Sequence, residues 1–452
     1  MQNNKERGNH MKISTTSRPP SQHESAANSD TAIYQWPPVP SGGLTISGAE
    51  SGLPEHIAEF QKTLRDFAVN VVRPIGEKLD KMTPEEVAAK DSPYWEFRRK
   101  YMELGISVDE ITKMPRQEAA LLFSILYEEL GYGDAGLAIS MGVAILPQWI
   151  SAKFGRIDLL EEFPESLLGC WAITEPDHGS DMLDSAGHIA HPTGNYGRPN
   201  LVADLSGEDI VLNGQKSAWV SNGTIADLCI LYCTADEGSG PNPRQGAVII
   251  VPLDLPGVSR GKPLDKLGQR ALNQGEIFFD NVIVPRKYLL AGPANYHRAV
   301  YCIHTEANAL MGATFTGLAQ AASDIALDYA HERIAGGTQI INHQSVRSRI
   351  FHLFRKTELS RSITRRALAY NNQEDIAVPS LCAAMFAKTT STQNSFEVCS
   401  DALQIFGGNG LTKEYAIEKM FRDARASLIE DGCNEILAIK GGSYLIDEEK
   451  LA

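Results

Sequence analysis

Two adjacent carboxylates, Glu430 and Asp431, stand immediately before Gly432 near the end of the 452-residue chain. A carboxylate held away from water has its pKa raised toward neutrality, where it can exchange a proton with a bound molecule. Upstream of this pair run QIFGGNG (404–410), EYAIEK (414–419) and RDAR (422–425). Gly407, Gly408 and Gly410 let the backbone turn with positive φ or approach another group closely. Hydroxyls at Thr174 and Ser180 supply hydrogen-bonding groups, and Trp219 supplies an aromatic face. The guanidinium of Arg333 is a forked donor of the kind that suits pyrophosphate.

These groups sit on, or between, three kinds of element. In the C-terminal stretch Ile417, Met420, Phe421, Ala424 and Leu428 recur at helical spacing. The Asp431-Gly432 break is expected to end that helix, with Asn434 capping the next. Earlier, the apolar stripe Ile57, Phe60, Leu64, Phe67, Val71, Val72 and the stripe Ala120, Leu121, Ile125, Leu126, Leu130 predict helices. Leu137 to Ile150 is a third, more apolar segment suited to burial between helices. From about Leu168 the pattern changes to strands. DLCILY (227–232), GAVIIVPL (246–253) and EIFFDNVIVP (276–285) read as strands, and Asn213-Gly214 between short runs predicts a hairpin turn. HIAHPTGNYGRP (188–199) reads as a long loop that borders a binding entrance. Beyond Tyr296 the chain is helical again, and LMGATFTGLAQAASDIALDYAHER (310–333) carries small residues that allow close helix packing.

Composition bounds the function. Apolar residues make up 43 % of the chain and the net charge is −14. No run reaches the ~18 consecutive apolar residues that span a bilayer. The acidic balance and the lack of a dense Lys/Arg run argue against a nucleic-acid partner. Seven scattered cysteines, without a CxxC pair, argue against a disulfide framework or a metal site and fit a reducing, cytoplasmic setting. Residues 1–45 are rich in Ser, Asn, Gln and Pro and are expected to form a disordered tail. The expected divisions are a helical domain over 46–167, a β domain over 168–290 and a helical bundle over 291–452.

Five motifs, in order, resemble the acyl-CoA dehydrogenase family: EELGYGDAGLA (128–138), CWAITEPDHGSD (170–181), GQKSAWVSNG (214–223), GQRALNQGEIFFDNVIVP (268–285) and the QIFGGNG to Asp431-Gly432 stretch. The resemblance spans about residues 53–445. It implies an α+β multidomain fold: an N-terminal α-helical domain, a middle β-barrel-like domain and a C-terminal four-helix bundle. It implies FAD, held by Trp171, Ile173, Thr174, Gly179, Ser180, Trp219 and Ser221, with Gly407, Gly408, Cys433 and Glu435. Arg333, Gln344 and Gln404 match positions that serve the cofactor of a neighbouring subunit, so a dimer or tetramer is implied. The implied reaction is Cα–Cβ dehydrogenation of an acyl thioester on CoA or an acyl carrier. Electrons would pass to an electron-transferring flavoprotein.

Several residues depart from the family pattern. Asp431 holds the position of the α-proton base, where Glu is usual, and is about 1.5 Å shorter in reach. Glu430 is adjacent, but neighbouring side chains seldom enter one pocket. Ala307 and Asn308 occupy the alternative base position and its Arg neighbour, with Glu306 one step away. GISVDEI (105–111) replaces the family's usual turn near the acyl pocket. An aspartate base and the GGTQIINHQSV run (336–346) also resemble nitroalkane oxidases, which leaves a flavin oxidase of a small carbon acid, or a non-catalytic flavoprotein, as alternatives.

Overall fold

The structure, a computed structural model, describes residues 53–184 and 197–447. The expected tail over 1–45 and most of the expected loop, 188–196, lie outside the described residues.

The first part is helical: α1 (Glu55–Phe67), α2 (Arg73–Asp80), α3 (Pro84–Ala88), α4 (Pro93–Met102), α5 (Val108–Lys113), α6 (Arg116–Gly133), α7 (Ala135–Ala144), α8 (Leu146–Lys153) and α9 (Ile157–Glu162). The two predicted stripes turn inward: Ile57, Leu64, Leu126 and Leu130 are buried, each side chain contributing roughly 1.5–3 kcal/mol. The apolar segment 137–150 is two helices rather than one, broken at Ile145 just before Pro147, whose nitrogen cannot donate a helical hydrogen bond. Among the described residues no single helix is long and apolar enough to cross a membrane.

The middle part is one eight-stranded sheet: β1 (Gly169–Ala172), β2 (Leu201–Asp204), β3 (Ile210–Lys216), β4 (Leu228–Asp236), β5 (Asn242–Pro252), β6 (Val258–Arg260), β7 (Ile277–Val284) and β8 (Leu289–Ala291). The order is β6-β7-β3-β2-β4-β5-β8, with β1 parallel to the first half of β4. The predicted strands at 227–232, 246–253 and 276–285 are present as β4, β5 and β7. The hairpin predicted at Asn213-Gly214 is not. Both residues lie inside β3, where the register shifts against β7 between Leu212 and Gly214. Gly214 has φ +128°, and a Cβ there would sit 2.0 Å from the carbonyl oxygen of Asn200, just before β2. The Asn-Gly pair makes a bulge, because pairing with strands on both sides outweighs the local turn preference.

After a two-stranded ribbon, β9 (Ile334–Ala335) with β10 (Thr338–Gln339), which follows the long helix α10 (Tyr296–Glu332), come α11 (Gln344–Asn371), α12 (Leu381–Phe406), α13 (Ala416–Ala426) and α14 (Asn434–Ile446). Helices α10, α11 and α12 pack on one another, α13 and α14 pack on α12, and α6 joins them along α10. The small residues of α10 permit that last contact. A Cβ on Gly317 would lie 1.8 Å from the Glu128 carbonyl oxygen, so the two backbones meet directly. Arg361 and Arg365 of α11 both donate to the buried Glu128 carboxylate, at 3.1 and 2.9 Å.

Two expectations near the C-terminus are corrected. Helix α13 stops at Ala426, five residues before Asp431. Cys433 occupies the N-cap of α14 without a side-chain cap, and Asn434 is the first helical residue. The Asn434 amide is drawn to Lys388 and Thr392 on α12 instead.

Candidate active site

RDAR works as a clamp that sets α13 against the rest of the molecule. Lys419, one turn earlier, donates to Asp134 and Asp423 at 2.5 Å each, all three being buried. Asp423 also accepts from the backbone N–H of Gln269. Arg422 grips Asp80 at 2.7 and 2.9 Å. Removing one partner from such a buried network leaves an uncompensated charge, at a cost of about 3–5 kcal/mol. The segment after α13 is therefore delivered to a fixed place.

That place is the wall of a cavity of about 1060 Å³ between the helices and the sheet. Trp171, Ile173, Thr174, Gly179, Ser180, Trp219 and Ser221 line it together with Glu430, Asp431 and Gly432. Leu126, Ile139, Val143, Leu146 and Leu310 give it apolar wall as well. The 105–111 segment that departs from the family pattern also faces it.

Asp431 sits in a left-handed turn, φ +50°, followed by Gly432 at φ +89°. Aspartate tolerates this region better than most residues. Gly432 is required: a Cβ would lie 2.4 Å from Leu183 Cδ1. Asn308 of α10 donates from its side-chain amide to the Asp431 carbonyl at 3.2 Å, and Lys388 of α12 donates to the Gly432 carbonyl at 2.8 Å. Among the described residues neither the N–H nor the carboxylate of Asp431 has a hydrogen-bond partner. Burial pushes Asp431 up to about 6, against the pull of the Lys388 ammonium.

Glu430 faces the same cavity, contrary to the expectation that adjacent side chains diverge. The left-handed turn at Asp431 redirects the chain between the two. Gln269 Nε2 donates to Glu430 at 3.1 Å, whereas Asp431 is left open. Burial pushes Glu430 up to about 7, the Gln269 hydrogen bond opposing and the Asp431 charge adding. Glu306 also lines the cavity, tied to Trp149 at 3.1 Å and Lys153 at 3.2 Å.

The residues expected to meet a flavin are carried by the sheet and the turns beside it. Ser217 Oγ donates to Thr174 Oγ1 at 3.0 Å, which leaves the Thr174 proton available. The Trp219 side is 60 % exposed, an unusual state for an indole and one that leaves a face for stacking. Trp171 Nε1, Arg425 Nη1, Gln269 Oε1 and Tyr127 Oη are buried without a hydrogen-bond partner, and all four residues line the cavity. Buried polar groups are normally satisfied, so these mark places for a ligand's polar atoms.

Seven expected residues do not line the cavity. Arg333, Gln344, Gln404, Gly407, Gly408 and Glu435 are exposed, and Cys433 is half-buried at the head of α14. Sequence reasoning missed Lys388 and Gln269. The signal for Lys388 was present: it falls in the inward stripe Leu381, Ala384, Met385, Lys388, Ser391, a place where lysine is unusual.

Comparison with known proteins agrees with this geometry. Residues 170–282 match the acyl-CoA dehydrogenase middle domain and residues 303–441 match the acyl-CoA dehydrogenase C-terminal domain. A probable acyl-CoA dehydrogenase of Bacillus subtilis, YngJ, is 28 % identical over 388 residues, covering 83 % of this chain and 94 % of that protein. The glutaryl-coenzyme A dehydrogenase in complex with glutaryl-CoA is 25 % identical with a TM-score of 0.77, over 88 % of this chain and 97 % of that one. An acyl-CoA dehydrogenase of Bacillus anthracis complexed with FAD, 22 % identical, shares the fold with a TM-score of 0.73 over 88 % of this chain and 68 % of that one. The chain belongs to the acyl-CoA dehydrogenase family. It is an oxidoreductase of that type.

Proposed function

We propose that this chain binds FAD in the cavity and dehydrogenates an acyl thioester at Cα–Cβ, with Asp431 as the base that removes the α-proton. The observation that carries the assignment is the open Asp431 carboxylate on the cavity wall, beside a Glu430 already engaged by Gln269. The residues suit the cofactor: an exposed indole at Trp219, the Thr174 and Ser180 hydroxyls, and the unpartnered Trp171 and Arg425 donors fit an aromatic ring system with a polar edge. When bound, FAD supplies the acceptor for the β-hydride.

The thioester carbonyl needs a donor as negative charge develops on its oxygen. The unpartnered Asp431 N–H is that donor in this reading, and the carboxylate of the same residue takes the proton. Near pH 7 a carboxyl titrating at about 6 is mostly ionised yet still a useful base. The apolar wall of the cavity receives the acyl chain, carried on CoA or an acyl carrier. Arg333, Gln344, Gln404, Gly407 and Gly408, being exposed, are assigned to the cofactor of a neighbouring copy in a dimer or tetramer, and Cys433 and Glu435 to the cofactor side of the Asp431 turn. An electron-transferring flavoprotein is the proposed acceptor. The oxidase and non-catalytic readings are not favoured, since the relatives found are acyl-CoA dehydrogenases.

The test is to titrate the purified protein with FAD and then expose the yellow holoenzyme, without oxygen, to a panel of acyl-CoAs. Bleaching of the flavin by at least one thioester is expected. Failure to take up FAD, or turnover with oxygen and a nitroalkane but no bleaching by any thioester, contradicts the proposal.

A further inference from the structure

We propose that Lys388 is a positioning residue for the reaction: from α12 it fixes the turn that presents Asp431 and supplies the positive charge behind the base. The proposal rests on the reading of Asp431 as the base.

Lys388 is completely buried. Its Nζ donates to the Gly432 carbonyl at 2.8 Å and to Asn434 Oδ1 at 2.7 Å, the residues one and three positions beyond Asp431. Asn434 Nδ2 donates in turn to Thr392 Oγ1 at 3.0 Å, and Thr392 Oγ1 donates to the Lys388 carbonyl at 2.8 Å. Three side chains thus tie one turn of α12 to the head of α14. Asp431 and Gly432 both hold left-handed backbone, a conformation that persists only where the surroundings impose it. The Lys388 clamp and the Asn308 bond on the other side are those surroundings.

Two neutral oxygens satisfy hydrogen bonds but not charge. A buried ammonium persists only when an anion compensates it. Burial pulls Lys388 down to about 8, with Asp431 the first of the groups that oppose it, ahead of Glu430, Cys433 and Glu435. Conversely Lys388 is the charge that opposes burial at Asp431. At neutral pH Lys388 therefore keeps its proton and Asp431 is mostly ionised. Other charged or titratable groups share the cavity wall: Glu430 beside Asp431, Arg425 from α13, Asp265 and Lys266 from the loop before β7, Glu306 and the buried His304 from α10, and His56, Glu110, Glu118 and Tyr127 from the N-terminal helices. Lys266 is held by the Leu272 carbonyl and Gln274, and Glu306 by Trp149 and Lys153. Among the described residues, Lys388 is the cation hydrogen-bonded on the C-terminal side of the Asp431 turn.

The experiment compares FAD-loaded wild type, Lys388→Met, Lys388→Gln and Asn434→Ala by anaerobic stopped-flow bleaching between pH 5 and 9. The probe is the straight-chain acyl-CoA that bleaches wild type fastest. The wild-type rate should rise with pH through a limb near 6. Both Lys388 variants should displace that limb upward by a unit or more, a roughly tenfold deficit below it that shrinks at high pH. The Gln variant keeps a donor for Gly432 and serves if the Met variant does not fold. Asn434→Ala weakens the clamp but keeps the charge, so its plateau should fall with the limb in place. A Lys388→Gln limb at the wild-type pH, loss of FAD from that variant, or an equal limb shift in Asn434→Ala would overturn the proposal. Wild-type bleaching by Asp431→Asn would instead remove the base assignment itself, and this proposal with it.

Discussion

The backbone N–H of Cys433 donates to Ser180 Oγ over 3.1 Å, joining stretches 253 residues apart. One stretch follows β1 and carries Thr174; the other is the turn that carries Asp431. The bond registers the proposed cofactor side of the cavity against the proposed base. Ser180→Ala removes it at a cost of about 1 kcal/mol, or roughly fivefold. FAD should dissociate faster and bleaching should slow by about that factor. Cofactor release followed by flavin fluorescence checks the first effect and stopped-flow bleaching the second; no change in either contradicts the link.

Gly432→Ala tests the turn itself. The new methyl would meet Leu183 at 2.4 Å and Leu437 at 3.1 Å on a residue whose φ is +89°. Strain of this kind costs about 1–3 kcal/mol. The variant should still bind FAD, unfold at lower temperature and bleach roughly 5- to 150-fold more slowly, the same energy expressed in rate. Unchanged bleaching would show that the turn does not position the base.

The raised pKa of Asp431 has a consequence for stability. Its folded value of about 6 exceeds the ordinary 3.8, so the native state binds this proton more tightly than the unfolded chain. The stabilisation is fully present below the ordinary value and is lost as pH rises through about 6. Asp431→Asn removes the buried charge. It should be more stable than wild type at pH 8 by up to about 3 kcal/mol, with the gap narrowing toward pH 5. Thermal unfolding of both proteins across that range is the check, and a variant less stable at pH 8 contradicts it.

What the sequence made legible follows from how far each signal reaches. The strands at 227–232, 246–253 and 276–285 were readable because each run states its own burial. The small residues of α10 were readable for the same reason, and Gly317 does meet the α6 backbone. Asn213-Gly214 misled because a local turn preference says nothing about strands pairing on both sides. Asn434 misled because its amide answers to Lys388 and Thr392, more than 40 residues away. The divergence expected of Glu430 and Asp431 assumed ordinary backbone, and the left-handed conformation of Asp431 itself reverses it. Thr174, Ser180, Trp219 and Asp431 converge on one cavity through motifs whose order was visible in the chain. Lys388 and Gln269 were missed because each works on a partner far along the chain: Lys388, although it interrupts an inward apolar stripe, through the Gly432 carbonyl 44 residues on, and Gln269, although inside the 268–285 motif, through Glu430, 161 residues on.

The most direct test of the central claim is single-turnover bleaching of Asp431→Asn. The substitution preserves shape and removes basicity, so FAD binding should match wild type. Anaerobic reduction by the best acyl-CoA should slow by about 10²–10⁴, the usual loss on removing a general base. Bleaching at the wild-type rate by FAD-loaded Asp431→Asn would contradict the account and turn attention to Glu430, the other carboxylate of the pair on the cavity wall.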